Sequence, residues 1–468
     1  MKTNRSSFSG RKRALLFIFL AALTLRIIAV TAVASFKGVT YPDDHEYGVI
    51  ARSLIKGEGY SVPVMEILGK DGKSFLKVEN YFFFLRTNVP AIKPLYGQGE
   101  RELFTHMRET GQYRPSADQL PFYPAVLAVV YYFIKSPLCF WVIKFLQAAV
   151  SAATCVIIYL MAARLFNHRA AFTAGIISVI YPVFILNTFS IIPETFFTFW
   201  LSLSVLSLLK LKETPDLKHQ VIAGLLIGIT LLNSNVAVPM VPCIGIWLLT
   251  LNGTWGQRLK RSLVVMVAAF LIFCPWLVRN YIAFGEFPIT KTAMGLNLWL
   301  GNNPNATGTF FQPSGERMEF NLPKPAAGEL GLSEQEEDKK LYSQAISYVQ
   351  GNPMHFARLF LKKLYYFTWF PPDNLMSDEG RLYKKIFRIP YALILVSSAA
   401  GFIMYLKSNA RDALLLCAII LSLAVLYSVF IVGHTRYRMP IEPYIILFSS
   451  YAVRLFFDRK VPGEQYAK

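Results

Sequence analysis

Residues 14–34 read ALLFIFLAALTLRIIAVTAVA and are followed, at 41–47, by YPDDHEY. The first stretch is apolar and long enough to cross a bilayer as one helix. The basic Arg11-Lys12-Arg13 precedes it, as in a signal peptide, but the run is too long and no small-residue cleavage site follows, so it reads as a retained first span. The second stretch packs Asp43, Asp44, His45 and Glu46 into four positions directly beyond the span. Carboxylates at a membrane boundary are costly unless they are hydrated, paired or used.

The same pattern extends outward along the chain. Of 468 residues, 54% are hydrophobic and only 16% charged, too apolar for a soluble chain to bury in one core. Spans are predicted near 14–34, 138–163, 170–189, 195–209, 220–233, 235–251, 262–278, 389–406, 412–432 and 440–457, which makes the fold class an all-α polytopic membrane protein with about ten transmembrane helices. Only Asn233-Ser234-Asn235 separates the fifth and sixth, so they form a tight hairpin or a broken pair. The formal net charge of +19 does not point to nucleic acid, because many basic residues lie in the short connections between apolar runs, where they set topology and meet lipid headgroups. The cysteines, Cys139, Cys155, Cys243, Cys274 and Cys417, lack the short paired spacings of a zinc site and read as small apolar residues.

Lys2 to Arg13, Arg164 with Arg169, Lys210 to Lys218, Arg258 to Arg261, Lys407 with Arg411 and Arg459 with Lys460 all fall on one side, which makes that side cytoplasmic. One membrane-embedded domain, 1–468, then carries two large outer loops, about 35–137 and 279–388. Within them, helical spacing from Asp43 to Lys56 aligns Tyr47, Ile50 and Leu54. The run Leu120 to Ile134 is short for a crossing, and Pro353 to Phe370 mixes lysines with aromatic residues; all three read as interfacial helices. No internal repeat of fixed period is visible, which disfavours an inverted-repeat transporter.

The acidic stretch has two readings from its residues alone. An aspartate can take the proton from a hydroxyl as its oxygen attacks an anomeric carbon. Equally, Asp43, Asp44 and Glu46 suit the first turn of a helix, where the dipole favours acids.

The stretch YPDDHEYGVIARSLIKGEGY at 41–60 resembles the first-loop motif of the GT-C glycosyltransferases, membrane enzymes that use polyprenyl-phosphate-linked sugars and include the protein O-mannosyltransferases and the lipid A aminoarabinose transferase. That motif sets an aspartate four positions before a tyrosine, as Asp43 stands to Tyr47, and continues through Ala51-Arg52, Gly57 and Gly59-Tyr60. LPFYPAVLAVVYYFI, YLMAARLF, PWLVRNYIAFGEF, LWLGNNPNATGTF and HTRYRMPIEPY follow in family order, so the resemblance spans nearly the whole chain. The chain departs from many relatives at Asn233-Ser234-Asn235, where they carry an arginine-proline pair.

The resemblance implies transfer of a single sugar from a polyprenyl-phosphate donor to an acceptor hydroxyl on a lipid, polysaccharide or protein, with inversion, at the extracytoplasmic face of a multi-pass protein, in the inner membrane if the source is bacterial. It implies Asp43 as base, with Asp44 and Glu46 beside it and Glu194 as a second acidic position on the acceptor side. Arg279, Arg436, Arg438 and Lys362 are the expected donor-phosphate ligands, since the leaving group gathers negative charge. Each of these arginines equally fits interfacial snorkelling. No cofactor is required by the resemblance; His45 and His434 are candidates to join the carboxylates around a divalent metal, whose use varies within the class, and Asn302, Asn303 and Asn305 to bond a sugar, though a turn around Pro304 and Gly308 explains these asparagines as well. Two other classes remain open: a lipid or glycan flippase, which would place its charges near mid-membrane, and a ligase moving a whole glycan, in which the first-loop acids would be dispensable.

Overall fold

The computed structural model describes residues 2–34, 42–68, 74–78, 107–286, 291–315, 333–430 and 435–459. Among the described residues six helices are long and apolar enough to cross a membrane, their apolar stretches falling at Gly10–Ala32, Leu138–Leu165, Glu194–Glu213, Trp255–Phe284, Gly380–Ser408 and Ala410–Val429. They belong to helices α1 (Lys2–Ala34), α4 (Leu138–Leu165), α7 (Glu194–Glu213), α10 (Trp255–Phe284), α14 (Asp378–Ser408) and α15 (Ala410–Val429). The other expected spans fall on shorter or broken elements: α5 (His168–Val179) with α6 (Pro182–Leu186), α8 (Leu217–Asn233), α9 (Met240–Leu249) behind a short 3-10 turn, and α16 (Glu442–Arg459).

The break between α5 and α6 has a local cause. Pro182 lacks an N–H and disfavours helical backbone at Tyr181, so the last carbonyls of α5 lose their donors. Inside a bilayer such carbonyls must find others. Arg26, fully buried in α1, provides them: its guanidinium donates to Ser178 O at 3.2 Å, Val179 O at 3.1 Å and Ser151 Oγ at 2.7 Å. The short α8 is held differently. A Cβ added at Gly224 would stand 2.5 Å from Val265 O, and one at Gly228 2.6 Å from Ile272 Cβ, so these two glycines let α8 lie directly on the backbone of α10.

At one end of the bundle, side chains join the helix termini. Arg164 at the end of α4 bonds Glu213 at the end of α7; Lys212 Nζ lies 2.8 Å from Asp412 Oδ2 in the first turn of α15; and Arg411 donates to Asn252 Oδ1 at 3.0 Å. Arg164, Lys212 and Arg411, which the sequence places on one side, therefore share an end.

The three expected loop helices form, as α2 (Pro42–Lys56), α3 (Phe122–Phe133) and α13 (Pro353–Thr368). Two more, α11 (Met294–Gly301) and α12 (Glu334–Gly351), join them. The first loop also builds an antiparallel sheet that the sequence reading lacks, in which β1 (Ser61–Leu68) lies between β2 (Ser74–Val78) and β3 (Met107–Pro115). Residues 61–65 of β1 are all buried, so both faces of this stretch of the strand are covered.

Candidate functional site

At the bundle end opposite the Arg164–Glu213 pair, α2 leads into the site. Its first turn carries Asp43, Asp44 and His45, whose side chains lie outside the described residues, as does His434. One turn further, Glu46 is buried and its Oε2 accepts a hydrogen bond from Gln119 Nε2 at 2.9 Å. The same nitrogen donates to Asp118 Oδ2 at 2.9 Å, so one amide group bridges two buried carboxylates. Lys291 Nζ approaches Gln119 Oε1 at 3.5 Å and brings positive charge to the cluster.

The segment 116–119 is the hub of this region. Glu334, at the start of α12, accepts from Ser116 Oγ at 2.8 Å, from Ala117 N at 2.9 Å and from the Thr292 hydroxyl, and Thr292 N donates to Ala117 O at 3.1 Å. One carboxylate thus staples the two loops together. Burial, reinforced by the Asp118 charge, raises the Glu334 carboxyl to about 7. From α10, Arg279 donates to Ser116 O at 2.7 Å and to Tyr60 O, with its guanidinium 5.2 Å from the Tyr60 ring centre and 5.3 Å from that of Trp276.

Through α3, α2 is also tied to the start of α7. Tyr47 meets Tyr123 of α3 edge-on at 5.2 Å; Tyr123 lies 5.9 Å from Phe196 and donates to Gln147 Oε1 at 2.7 Å; Gln147 Nε2 in turn donates to Ser190 O at 2.7 Å. Glu194 opens α7 two residues before Phe196, and its Oε1 lies 3.5 Å from Arg436 Nε. Glu46, Glu194, Arg279 and Arg436 therefore gather at one end.

The expected phosphate ligands separate. Arg436 is partly exposed beside Glu194. Arg438 is buried, its Nε donates to Glu442 Oε1 at 2.6 Å, and its guanidinium lies 3.9 Å from the Tyr391 ring centre, while the Tyr181 hydroxyl donates to Glu442 Oε2. Lys362 is exposed, 5.7 Å above the Tyr366 ring. Its neighbour Lys363 is the buried lysine, bonded to Asn302 Oδ1 and to the last carbonyls of α15, and desolvation lowers its ammonium to about 7. Of the asparagines read as sugar ligands, two bond the backbone, Asn302 Nδ2 donating to Leu298 O and Val429 O and Asn303 Nδ2 to Trp299 O, while Asn305 is exposed.

Asp118, Gln119, Lys291 and Glu334 did not emerge from the sequence. Asp118 and Gln119 stand immediately before the proline-flanked LPFYP, a position that alone could have drawn notice. Among the described residues no three His, Cys, Asp or Glu side chains are placed to hold a metal ion.

The comparisons agree on the architecture. A family described as dolichyl-phosphate-mannose-protein mannosyltransferase matches residues 118–278. No curated protein matches the chain in sequence. The archaeal oligosaccharyltransferase AglB from Archaeoglobus fulgidus, solved with an inhibitory peptide and a dolichol-phosphate, superposes with a TM-score of 0.53 at 12% identity, over 98% of this chain and 53% of its own. The apo structure of ArnT from Cupriavidus metallidurans gives a TM-score of 0.50 at 13% identity, over 95% of this chain and 61% of its own. The chain thus spans only about half the length of the oligosaccharyltransferase that it resembles. The resemblance read from the sequence holds at the level of the fold: this is an integral membrane protein built on the GT-C architecture of these transferases.

Proposed function

We propose that the protein is a membrane glycosyltransferase that moves one sugar from a polyprenyl-phosphate donor to an acceptor hydroxyl at the extracytoplasmic face. The observation that carries the reading is the Glu194–Arg436 pair at the bundle end to which the ring contacts Tyr47–Tyr123–Phe196 tie α2, the helix whose first turn carries Asp43 and Asp44. A general base for the acceptor and a cation for the departing phosphate are the two groups this reaction needs.

In the reaction, the acceptor oxygen attacks the anomeric carbon, the bond from that carbon to the phosphate oxygen breaks, and the configuration inverts. Asp43 takes the acceptor proton, with Asp44 beside it. Glu46 is held by Gln119, so it fixes the register of α2 more readily than it exchanges a proton. Arg436 leaves Glu194 for the phosphate, and Glu194 is then available to orient the acceptor. Arg279, Arg438 and Lys362 act around this core, the first two by holding the scaffold and the third at the headgroups. Glu46 and Asp118 already accept hydrogen bonds from Gln119, so a divalent cation would fall to Asp43, Asp44, His45 and His434.

The test is transfer from a lipid-linked sugar by purified Asp43→Asn enzyme, with Glu194→Gln and Arg436→Gln in parallel and with a chelator arm. Full retained activity in Asp43→Asn sinks the assignment. An unchanged rate after chelation removes the cation. The likeness to an oligosaccharyltransferase favours one further reading, transfer of a whole glycan, and the mass added to the acceptor separates the two.

A further inference from the structure

The adjacent lysines of α13 face opposite ways, and the buried one performs a task that the proposed chemistry does not itself use. Lys363 Nζ lies 3.0 Å from Asn302 Oδ1, 3.2 Å from Val429 O and 2.8 Å from Phe430 O. These two carbonyls stand at the C-terminal end of α15, where the last turn has no intrahelical donors and the dipole presents its negative pole. Asn302, just past the end of α11, donates to Val429 O at 2.9 Å as well. The approach is so close that a Cβ on Gly301 would stand 1.6 Å from Phe430 O, so only glycine admits it. Two elements of the second loop therefore grip the end of one membrane helix.

The chain runs from that gripped end into the segment bearing the phosphate cation. Four residues separate Phe430 from Thr435, and Arg436 is next, 3.5 Å from Glu194.

We infer that Lys363 is a positioning residue: with Asn302 it locks the end of α15 to the second loop and so fixes the departure point of the segment that brings Arg436 to the donor phosphate. The inference rests on the reading of Arg436 as the phosphate cation. The Lys363 ammonium is committed to the protein: to bind phosphate it would have to abandon three acceptors inside a fully buried site. A clamp of this kind controls placement, and displacement of a catalytic group by about 1 Å costs up to about 100-fold in rate.

The experiment uses the full chain in detergent, as Lys363→Met, Lys363→Arg and Arg436→Gln, with two readouts: steady-state transfer, and backbone amide exchange in peptides covering 424–430 and 435–441. Lys363→Met is expected to speed exchange in both peptides by about tenfold or more and to lower kcat by about 10- to 100-fold, with the acceptor KM unchanged. Lys363→Arg, which keeps charge and donors, is expected to restore both readouts in large part. Should Lys363→Met fail to fold, Asn302→Ser removes one partner of the clamp and is read the same way. Unchanged exchange in Lys363→Met overturns the clamp, and faster exchange with unchanged kcat overturns its positioning role. Full activity in Arg436→Gln overturns the reading of Arg436 instead, and leaves the exchange result to decide the clamp.

Discussion

Glu442→Gln is the sharpest probe of how the outer end of the bundle is built, because it removes one charge at nearly constant shape. The Arg438 and Glu442 side chains are 3% and 0% exposed, and the carboxylate also accepts from the Tyr181 hydroxyl. Glutamine keeps an oxygen for Arg438 Nε and turns its NH2 to the Tyr181 hydroxyl, which accepts as well as donates, so the loss is chiefly that of the counter-charge to a buried guanidinium. Breaking a buried pair from one side costs about 3–5 kcal/mol. The faces of Tyr391 and Phe370, at 3.9 and 5.3 Å, retain about 1–2 kcal/mol of attraction for the cation. The net expectation is a loss of about 2–3 kcal/mol, or about 30- to 150-fold in the unfolding equilibrium. Arg438→Met should cost a similar amount, whereas Arg438→Met with Glu442→Gln should cost less than about 1.5 kcal/mol, since no buried charge is left. Equilibrium unfolding in mixed micelles measures the cycle, and transfer activity is read on the double variant. Strict additivity of the two losses would refute the clasp. A stable double variant as inactive as Arg436→Gln would return Arg438 to the phosphate.

The other expectations concern the loops. The Glu334 carboxyl is raised from about 4.5 to about 7, so the folded state binds its proton more tightly; its contribution is full below about pH 4.5 and is lost as pH rises through about 7. Glu334→Gln should flatten that decline in a pH series of thermal unfolding, and an unchanged slope would remove Glu334 as its source. Gly301→Ala should force α11 away from Phe430 O and destabilise by about 1–3 kcal/mol, as overpacking does, read by unfolding in mixed micelles; wild-type stability would refute the close approach. Arg279→Gln removes the tie to Ser116 O and Tyr60 O and should speed proteolysis between β1 and α3 at unchanged donor KM, whereas a raised donor KM would make Arg279 a phosphate ligand.

Hydropathy reads well where a single helix faces lipid, which is why α1, α4 and α10 stand plainly in the sequence. It reads poorly where burial is arranged in space. Pro182 marks the α5–α6 break locally, but the Arg26 that satisfies the freed carbonyls stands 152 residues from Ser178, and no local pattern pairs them. The sheet escaped because residues 61–65 are buried on both faces and so give no clear alternation, in a short run that contains Pro63. At the site, Glu46, Glu194 and Arg436 were legible as charges at predicted span ends. Asp118, Gln119 and Glu334 were not, because their meaning lies in meeting one another across two loops. The same limit made Lys362 and Lys363 indistinguishable until α13 was packed: helical phase fixes which faces outward only once the buried face is known.

The arginines show how packing sorts equal letters into unequal roles. Arg26 and Arg279 donate to main-chain carbonyls, groups that cannot leave without unravelling the backbone they belong to. Arg438 holds a carboxylate in a site with almost no access to water, and exchanging that partner for a phosphate would strand Glu442. Arg436 differs in both respects. Its carboxylate partner lies 3.5 Å away rather than 2.6 Å, and the two side chains keep 15% and 12% of their surface exposed. A cation whose carboxylate partner stands farther off gives up less direct attraction when it trades one anion for another than one locked at 2.6 Å. For a group that must meet a phosphate as its negative charge grows and release it afterward, that exchangeability is the requirement, which is why the proposed function gives the role to Arg436 among these four arginines.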